Sequence, residues 1–252
     1  MNPKIKEIIN FIETTVKDSG FNRLIIGLSG GIDSAVVASL SVKAIGKENV
    51  IGVMMPYITS NPDSLAHAKL LATGLNIQYF INPITDMVDS YFDKFEPNAT
   101  PLRKGNYMAR TRMCILYDLS AKHNALVVGT SNFSEIYVGY CTQYGDSACA
   151  FEPIAHLLKT QVYEIASDLN IPPEIINKKP SADLWNGQTD EQELGITYKT
   201  LDKILRLMFF ENKNKDEIME QGIPENEYNL VMKKVKGSEF KRRMPLIMSY
   251  EL

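Results

Sequence analysis

Apolar and polar positions along this chain follow two periods in turn. Residues 4–17 place Ile5, Ile8, Ile9, Ile12 and Val16 at spacings of three and four, which predicts an amphipathic helix with Pro3 suited to its first turn. Leu24-Ile25-Ile26-Gly27-Leu28 is instead a short, unbroken apolar run, the pattern of a strand buried on both faces. The two signals then repeat. They predict helices over about 33–44, 65–75, 83–95 and 106–123, and strands over 50–55, 77–81 and 125–129, with a polar, Pro-containing loop through Pro101. Strands alternating with helices imply a parallel sheet with right-handed crossovers, hence a doubly wound, Rossmann-like α/β fold. Beyond Ala150 the strand pattern fades. A helix is expected over 159–168, a loop-rich stretch around Pro172, Pro173 and Pro180, and two or three helices over 190–243. With no internal repeat and no low-complexity linker, this helical C-terminal third is expected to pack on the sheet, making residues 1–252 one domain.

Composition narrows the class. A net charge of −3 argues against general nucleic-acid binding, which demands a basic surface. No apolar run approaches the roughly 20 residues that span a bilayer, and the N-terminal stretch lacks the apolar core of a signal peptide. A cytoplasmic location is therefore expected. Cys114, Cys141 and Cys149 form no Cys-x-x-Cys pair, and His67, His123 and His156 are scattered, so the cysteines are expected to be reduced, structural thiols.

The informative segment is Gly27-Leu28-Ser29-Gly30-Gly31-Ile32-Asp33-Ser34, between a buried strand and a helix. Free backbone N–H groups at a helix start attract an anion. Gly30 and Gly31 permit a sharp turn and a close approach to phosphate, and Ser29 and Ser34 add hydroxyls. A Walker loop would need Gly-Lys-Ser/Thr and a dinucleotide fingerprint G-x-G-x-x-G; neither is present. What remains resembles the Ser-Gly-Gly-x-Asp-Ser pyrophosphate loop of the ATP pyrophosphatase superfamily. Asp33 belongs to this cradle, where a carboxylate about 4 Å from a phosphate charge costs ~4 kcal/mol at an effective dielectric near 20. A cation must lie between them, and Mg²⁺ is the ion that accompanies nucleotide phosphates. The competing role for Asp33 is a helix cap.

The fourth predicted strand runs into Gly129-Thr130-Ser131-Asn132-Phe133-Ser134-Glu135, at the same carboxyl edge of the sheet. Thr130 offers a hydroxyl there and Glu135 a second carboxylate for the same Mg²⁺. These two loops, with Gly-Asn-Tyr-Met-Ala-Arg-Thr-Arg-Met (105–113), Gly-Tyr-Cys-Thr-Gln-Tyr-Gly-Asp (139–146), Leu-Lys-Thr-Gln-Val-Tyr (158–163) and Pro-Ser-Ala-Asp-Leu-Trp-Asn-Gly-Gln-Thr-Asp-Glu (180–191), make the chain resemble the ammonia-dependent NAD synthetases. The fold implied is that of the adenine nucleotide alpha hydrolases. The reaction implied is adenylation of the nicotinate carboxylate of deamido-NAD by ATP, followed by displacement of AMP by ammonia.

Carried over position by position, the resemblance implies Mg²⁺ on Asp33 and Glu135. It implies ATP contacts at residues 27–34, Thr130, Lys159 and Ser181, and deamido-NAD contacts at Arg110 and Lys241. It also implies a homodimer with the dinucleotide reaching across the subunit interface. The chain departs from many members at Gln143 (lysine there), Ala150 (aspartate there) and Phe240 (histidine there), positions that bear on how the nicotinate end is held. The alternative is another adenylating member of the superfamily, tRNA-modifying or GMP synthetase-like. The stretches 82–105 and 183–195 are candidate lids. The basic run Lys233, Lys234, Lys236, Lys241, Arg242 and Arg243 is either a solvated helix face or a patch that closes over an anionic substrate.

Overall fold

The computed structural model describes residues 2–185 and 187–248. Its order begins with α1 (Pro3–Ser19), β1 (Leu24–Gly27), α2 (Ile32–Ile45), β2 (Val50–Met54), α3 (Pro62–Leu75) and β3 (Gln78–Ile81). It continues through α4 (Thr85–Phe95), α5 (Pro101–His123), β4 (Leu126–Val128) and α6 (Phe133–Val138). The C-terminal part carries α7 (Lys159–Asp168), α8 (Pro173–Ile176), α9 (Asp190–Leu194), α10 (Tyr198–Phe209), α11 (Lys215–Met219) and α12 (Glu225–Gly237).

The described strands form one parallel sheet in the order β3-β2-β1-β4. The first crossovers move outward from β1 on one side and the chain then returns to β4 on the other, the reversal that defines a doubly wound sheet. Side chains in β1 alternate across it. Leu24 and Ile26 face α1, α2 and α7, packing with Ile5, Ile8, Ile12 and Val36, whereas Ile25 faces α4 and α5 with Ile51, Val88 and Met108. Both faces are covered, which is why β1 and β2 read as unbroken apolar runs. The edge strand β3 behaves differently: Gln78, Tyr79 and Ile81 are exposed. A third cluster, built on Leu201, Ile204, Leu205 and Val231, joins α10 and α12 to Phe133 of α6.

Three expectations need correction. The long helix starts at Pro101 and not near 106, because the Thr100 hydroxyl accepts the Arg103 N–H at its start and Pro101 occupies the first turn. The segment after β4 is partly helical: Asn132 caps α6 by accepting the Glu135 N–H at 3.1 Å. The C-terminal third holds more helices than expected, since α9 and α11 are each five residues long and carry no legible period.

Candidate functional site

The loop between β1 and α2 braces itself. The Ser34 hydroxyl donates to the Gly31 carbonyl at 3.0 Å, and the Gly31 N–H donates to Ser29 Oγ at 3.2 Å. Gly31 caps α2 without any side-chain hydrogen bond, so the first N–H groups of the helix remain available to an anion. Gly30 adopts φ +73°, and a Cβ there would lie 2.0 Å from the backbone oxygen of Ser64 on α3. Only glycine satisfies both conditions.

A cavity of ≈ 540 Å³ opens over this loop at the carboxyl ends of β1, β2 and β4. Thr130, Lys159, Ser181 and Lys241 line it together with the phosphate loop, Asp33 and Glu135, so the structure gathers most of the sequence-predicted site. Gly30 does not itself line the cavity, being packed under α3.

The charged centre is a three-residue cluster. Lys159 Nζ donates to Asp33 Oδ2 at 2.5 Å and to Glu135 Oε1 at 2.9 Å, and its side chain is 3% exposed. The cation that a carboxylate beside the phosphate loop requires is thus supplied here by a side chain. Burial opposes the charge on Lys159, but Asp33 and Glu135 more than offset it and hold the ammonium above its ordinary pKa. Burial pushes the Glu135 carboxyl up, with Lys159 pulling against it. Asn132 donates to the remaining Asp33 oxygen at 2.9 Å. Tyr198 places its ring 5.1 Å from Lys159 Nζ, and its hydroxyl donates to Asp190 Oδ2 at 3.0 Å.

Lys159 is also fixed from behind. Its backbone N–H donates to Ser134 Oγ at 3.0 Å, and that hydroxyl donates to Asp202 Oδ1 at 2.5 Å. Asp202 Oδ2 accepts the Thr160 N–H at 2.7 Å, so a carboxylate from α10 sits at the positive end of α7. Ser134 and Asp190 fall within the 129–135 and 180–191 motifs without a role of their own, and Tyr198 and Asp202 fall in no motif. Their partners lie up to 68 residues away, and no local spacing marks them.

Two of the carried-over positions behave differently from each other. Lys241 lines the cavity and donates to the carbonyls of Gly139 and Cys141 at 2.8 and 2.7 Å. Arg110 lies on the exposed side of α5, donates to the Gln143 carbonyl at 3.3 Å, and does not line the cavity. The arginine that does is Arg112, half-buried and donating to the Met55 carbonyl at 3.0 Å. Gln143, Ala150 and Phe240 also lie outside the cavity lining. The C-terminal basic run does not form one patch. Arg242 is spent on the carbonyls of Tyr137 and Val235, Arg243 pairs with Glu239, and Lys233 and Lys236 are exposed. All three cysteines are free; Cys114 is exposed, the other two half-buried. Among the described residues, no cluster of three or more His, Cys, Asp or Glu side chains is arranged to hold a metal.

Behind the second loop sits Glu152. Its Oε2 accepts the Ser131 N–H at 3.0 Å, and its carboxylate fills the space a Cβ on Gly129 would need, at 2.2 Å. Burial pushes this carboxyl from 4.5 up to about 7, against the pull of Ser131. Between those values the folded protein keeps a proton that the unfolded chain has lost. This contribution to stability is therefore complete below about pH 4.5 and disappears as pH rises through 7. The change is on the order of 1–3 kcal/mol. Glu152→Gln has no such proton to lose, so its melting temperature should gain several degrees on wild type between pH 4.5 and 8. Parallel melting profiles for the two proteins over that range would contradict the assignment.

Residues 4–245 match the sequence model of the family described as NAD synthase. An NH(3)-dependent NAD(+) synthetase of Fusobacterium nucleatum is 54% identical over 241 residues, covering 96% of this chain and 93% of that protein. Among solved structures, an NH3-dependent NAD synthetase from Campylobacter jejuni, in complex with the nitrate ion, superposes with a TM-score of 0.83 at 36% identity, covering 98% of each chain. An NMN synthetase from Francisella tularensis superposes with a TM-score of 0.88 at 32% identity and the same coverage.

Proposed function

The chain belongs to the NAD synthase family, an ATP-dependent ligase forming a carbon–nitrogen bond, and from that premise we propose how its own residues divide the work. The nicotinate carboxylate of deamido-NAD attacks the α-phosphorus of ATP, the bond to the bridging oxygen breaks, and pyrophosphate leaves. Ammonia then attacks the acyl carbon, loses a proton and expels AMP, giving NAD. The observation that carries this reading is the convergence of Asp33, Glu135 and Lys159 at the open N-terminus of α2. The phosphate-loop N–H groups and the Ser29 and Ser34 hydroxyls hold the pyrophosphate end of ATP; Thr130 and Ser181 face the same space.

Mg²⁺ fits this donor set, because two carboxylates from separate elements already share one cation and carboxylate oxygens suit a hard ion. Asp33 and Glu135 would hold it, and bound there it would neutralise charge on the phosphates of ATP. The proposed assembly is a cytoplasmic homodimer. Arg110 sits outside the cavity on the exposed side of α5, where a dinucleotide spanning two subunits would meet it; among the described residues no helix is long and apolar enough to cross a membrane. Sedimentation of a fully active protein as a ~28 kDa species alone would refute the dimer.

Incubation with ATP, Mg²⁺, ammonium and deamido-NAD should yield NAD, AMP and pyrophosphate in equal amounts, read by mass. Nicotinate mononucleotide in place of deamido-NAD should be a poor substrate. Efficient conversion of the mononucleotide alone would move the reading to an NMN synthetase. Lys241→Ala should raise the KM for deamido-NAD several-fold more than the KM for ATP, and the difference should shrink with salt. Equal changes in both constants would remove Lys241 from the substrate side.

A further inference from the structure

Lys178 also faces the cavity, and no carboxylate is bonded to it. Lys178 follows α8, is half-buried, and lines the same space as Ser29, Gly31 and Asp33. Its Nζ donates to Ser64 Oγ at 2.7 Å, and among the described residues it has no salt-bridge partner. Lys159, by contrast, is bound by two carboxylates. A partly buried ammonium held only by a hydroxyl has lost hydration without gaining a counter-charge. Burial accordingly pulls the Lys178 pKa down, with Asp183 and Asp63 opposing from a distance. Such a group gains most from an anion.

Its surroundings say where that anion would sit. The Ser64 hydroxyl accepts from Lys178 and donates to Asp183 Oδ2 at 2.8 Å, while Asp183 also accepts the Asn61 N–H at 3.0 Å. Asp183 reaches this position with φ +52°, an unusual conformation for a non-glycine residue, maintained by those bonds. Ser64 in turn carries the backbone oxygen that packs against Gly30. The relay Lys178–Ser64–Asp183 therefore rests directly on the phosphate loop and places the ammonium beside it.

We propose that Lys178 is a ligand of the pyrophosphate leaving group, exchanging its Ser64 hydroxyl for a phosphate oxygen when ATP is bound. This rests on the function proposed above and adds a residue to its leaving-group side. A lysine is suited to the task, being a compact charge on a flexible stem that can follow the departing group. Ser64 and Asp183 then act as a parking site that keeps the side chain extended toward the cavity.

The test measures pyrophosphate and AMP binding separately by calorimetry, in Mg²⁺, for wild type, Lys178→Met, Lys178→Arg and Ser64→Ala. Lys178→Met should weaken pyrophosphate at least tenfold, about 1.4 kcal/mol, and leave AMP within twofold. Lys178→Arg should recover part of the loss. Ser64→Ala removes the hydroxyl but keeps the ammonium, so its pyrophosphate affinity should stay within about twofold of wild type. Unchanged pyrophosphate affinity in Lys178→Met would overturn the assignment. So would equal losses of both ligands in Lys178→Met and Ser64→Ala, which mark a purely structural brace. Wild-type protein that makes NAD while Lys178→Met binds pyrophosphate normally would sink this inference alone and leave the proposed function standing.

Discussion

Asp33→Asn and Glu135→Gln are each expected to lower NAD formation by at least ~10²-fold, a loss comparable to removing one preorganised charge-stabilising group from an active site. Both substitutions keep the shape of the side chain, and Lys159 retains the other carboxylate, so melting temperatures should fall only modestly. Lys159→Met should behave differently. It leaves Asp33 and Glu135 facing each other with no cation between them, in a site where the lysine is almost wholly enclosed. Breaking such a buried group costs about 3–5 kcal/mol, so this variant should lose both activity and stability. Millimolar Mg²⁺ should then raise its melting temperature more than that of wild type, because the ion restores the missing charge. Near-normal turnover in Asp33→Asn or Glu135→Gln at saturating Mg²⁺ would remove that residue from the proposed ligand pair. A Mg²⁺ response in Lys159→Met no larger than wild type would show that the two carboxylates do not share a cation site.

Gly30→Ala carries the other large effect. An alanine at φ +73° pays roughly 1–3 kcal/mol in backbone strain. Its methyl group would also meet the Ser64 oxygen at 2.0 Å. That neighbour is backbone in the first turn of α3 and cannot rotate away, so either the phosphate loop or α3 must shift by about 1 Å. A displacement of that size at a reacting centre is enough for a loss on the order of 10²-fold. The KM for ATP should rise along with the fall in kcat, since the cradle itself is displaced. Gly31→Ala makes a useful comparison, because a Cβ there meets only the Ser29 hydroxyl, at 3.2 Å. Equal, mild effects from both substitutions would mean that the close approach of Gly30 to Ser64 does not shape the ATP site.

The legible part of this molecule is the part whose signals are local. The sequence β1–loop–α2 announces itself through an unbroken apolar run, two glycines and a helical period, and the structure places each where those signals put it. Thr130 and Glu135 were accessible for the same reason, being a few residues beyond a recognisable strand. Asp202 and Tyr198 were not, because an aspartate and a tyrosine in an amphipathic helix look like surface and core until α10 is packed against α6 and α7. Arg110 and Arg112 expose another limit. Two residues apart on a helix they point to different faces, and which one enters the cavity depends on how α5 is rotated against the sheet. The role of Lys159 was only half readable. Its attraction to phosphate follows from its charge, but its bridging of Asp33 and Glu135 follows from α7 lying beside α2.

Where ATP is attacked, and by what, is read most directly with an isotope. Deamido-NAD labelled with ¹⁸O in both carboxylate oxygens should be converted with unlabelled ATP and ammonia, and the AMP and pyrophosphate weighed. Attack of the carboxylate on the α-phosphorus predicts AMP carrying one ¹⁸O atom and pyrophosphate carrying none. Unlabelled AMP, or the label in phosphate with ADP as the other product, would contradict adenylation of the substrate at this site.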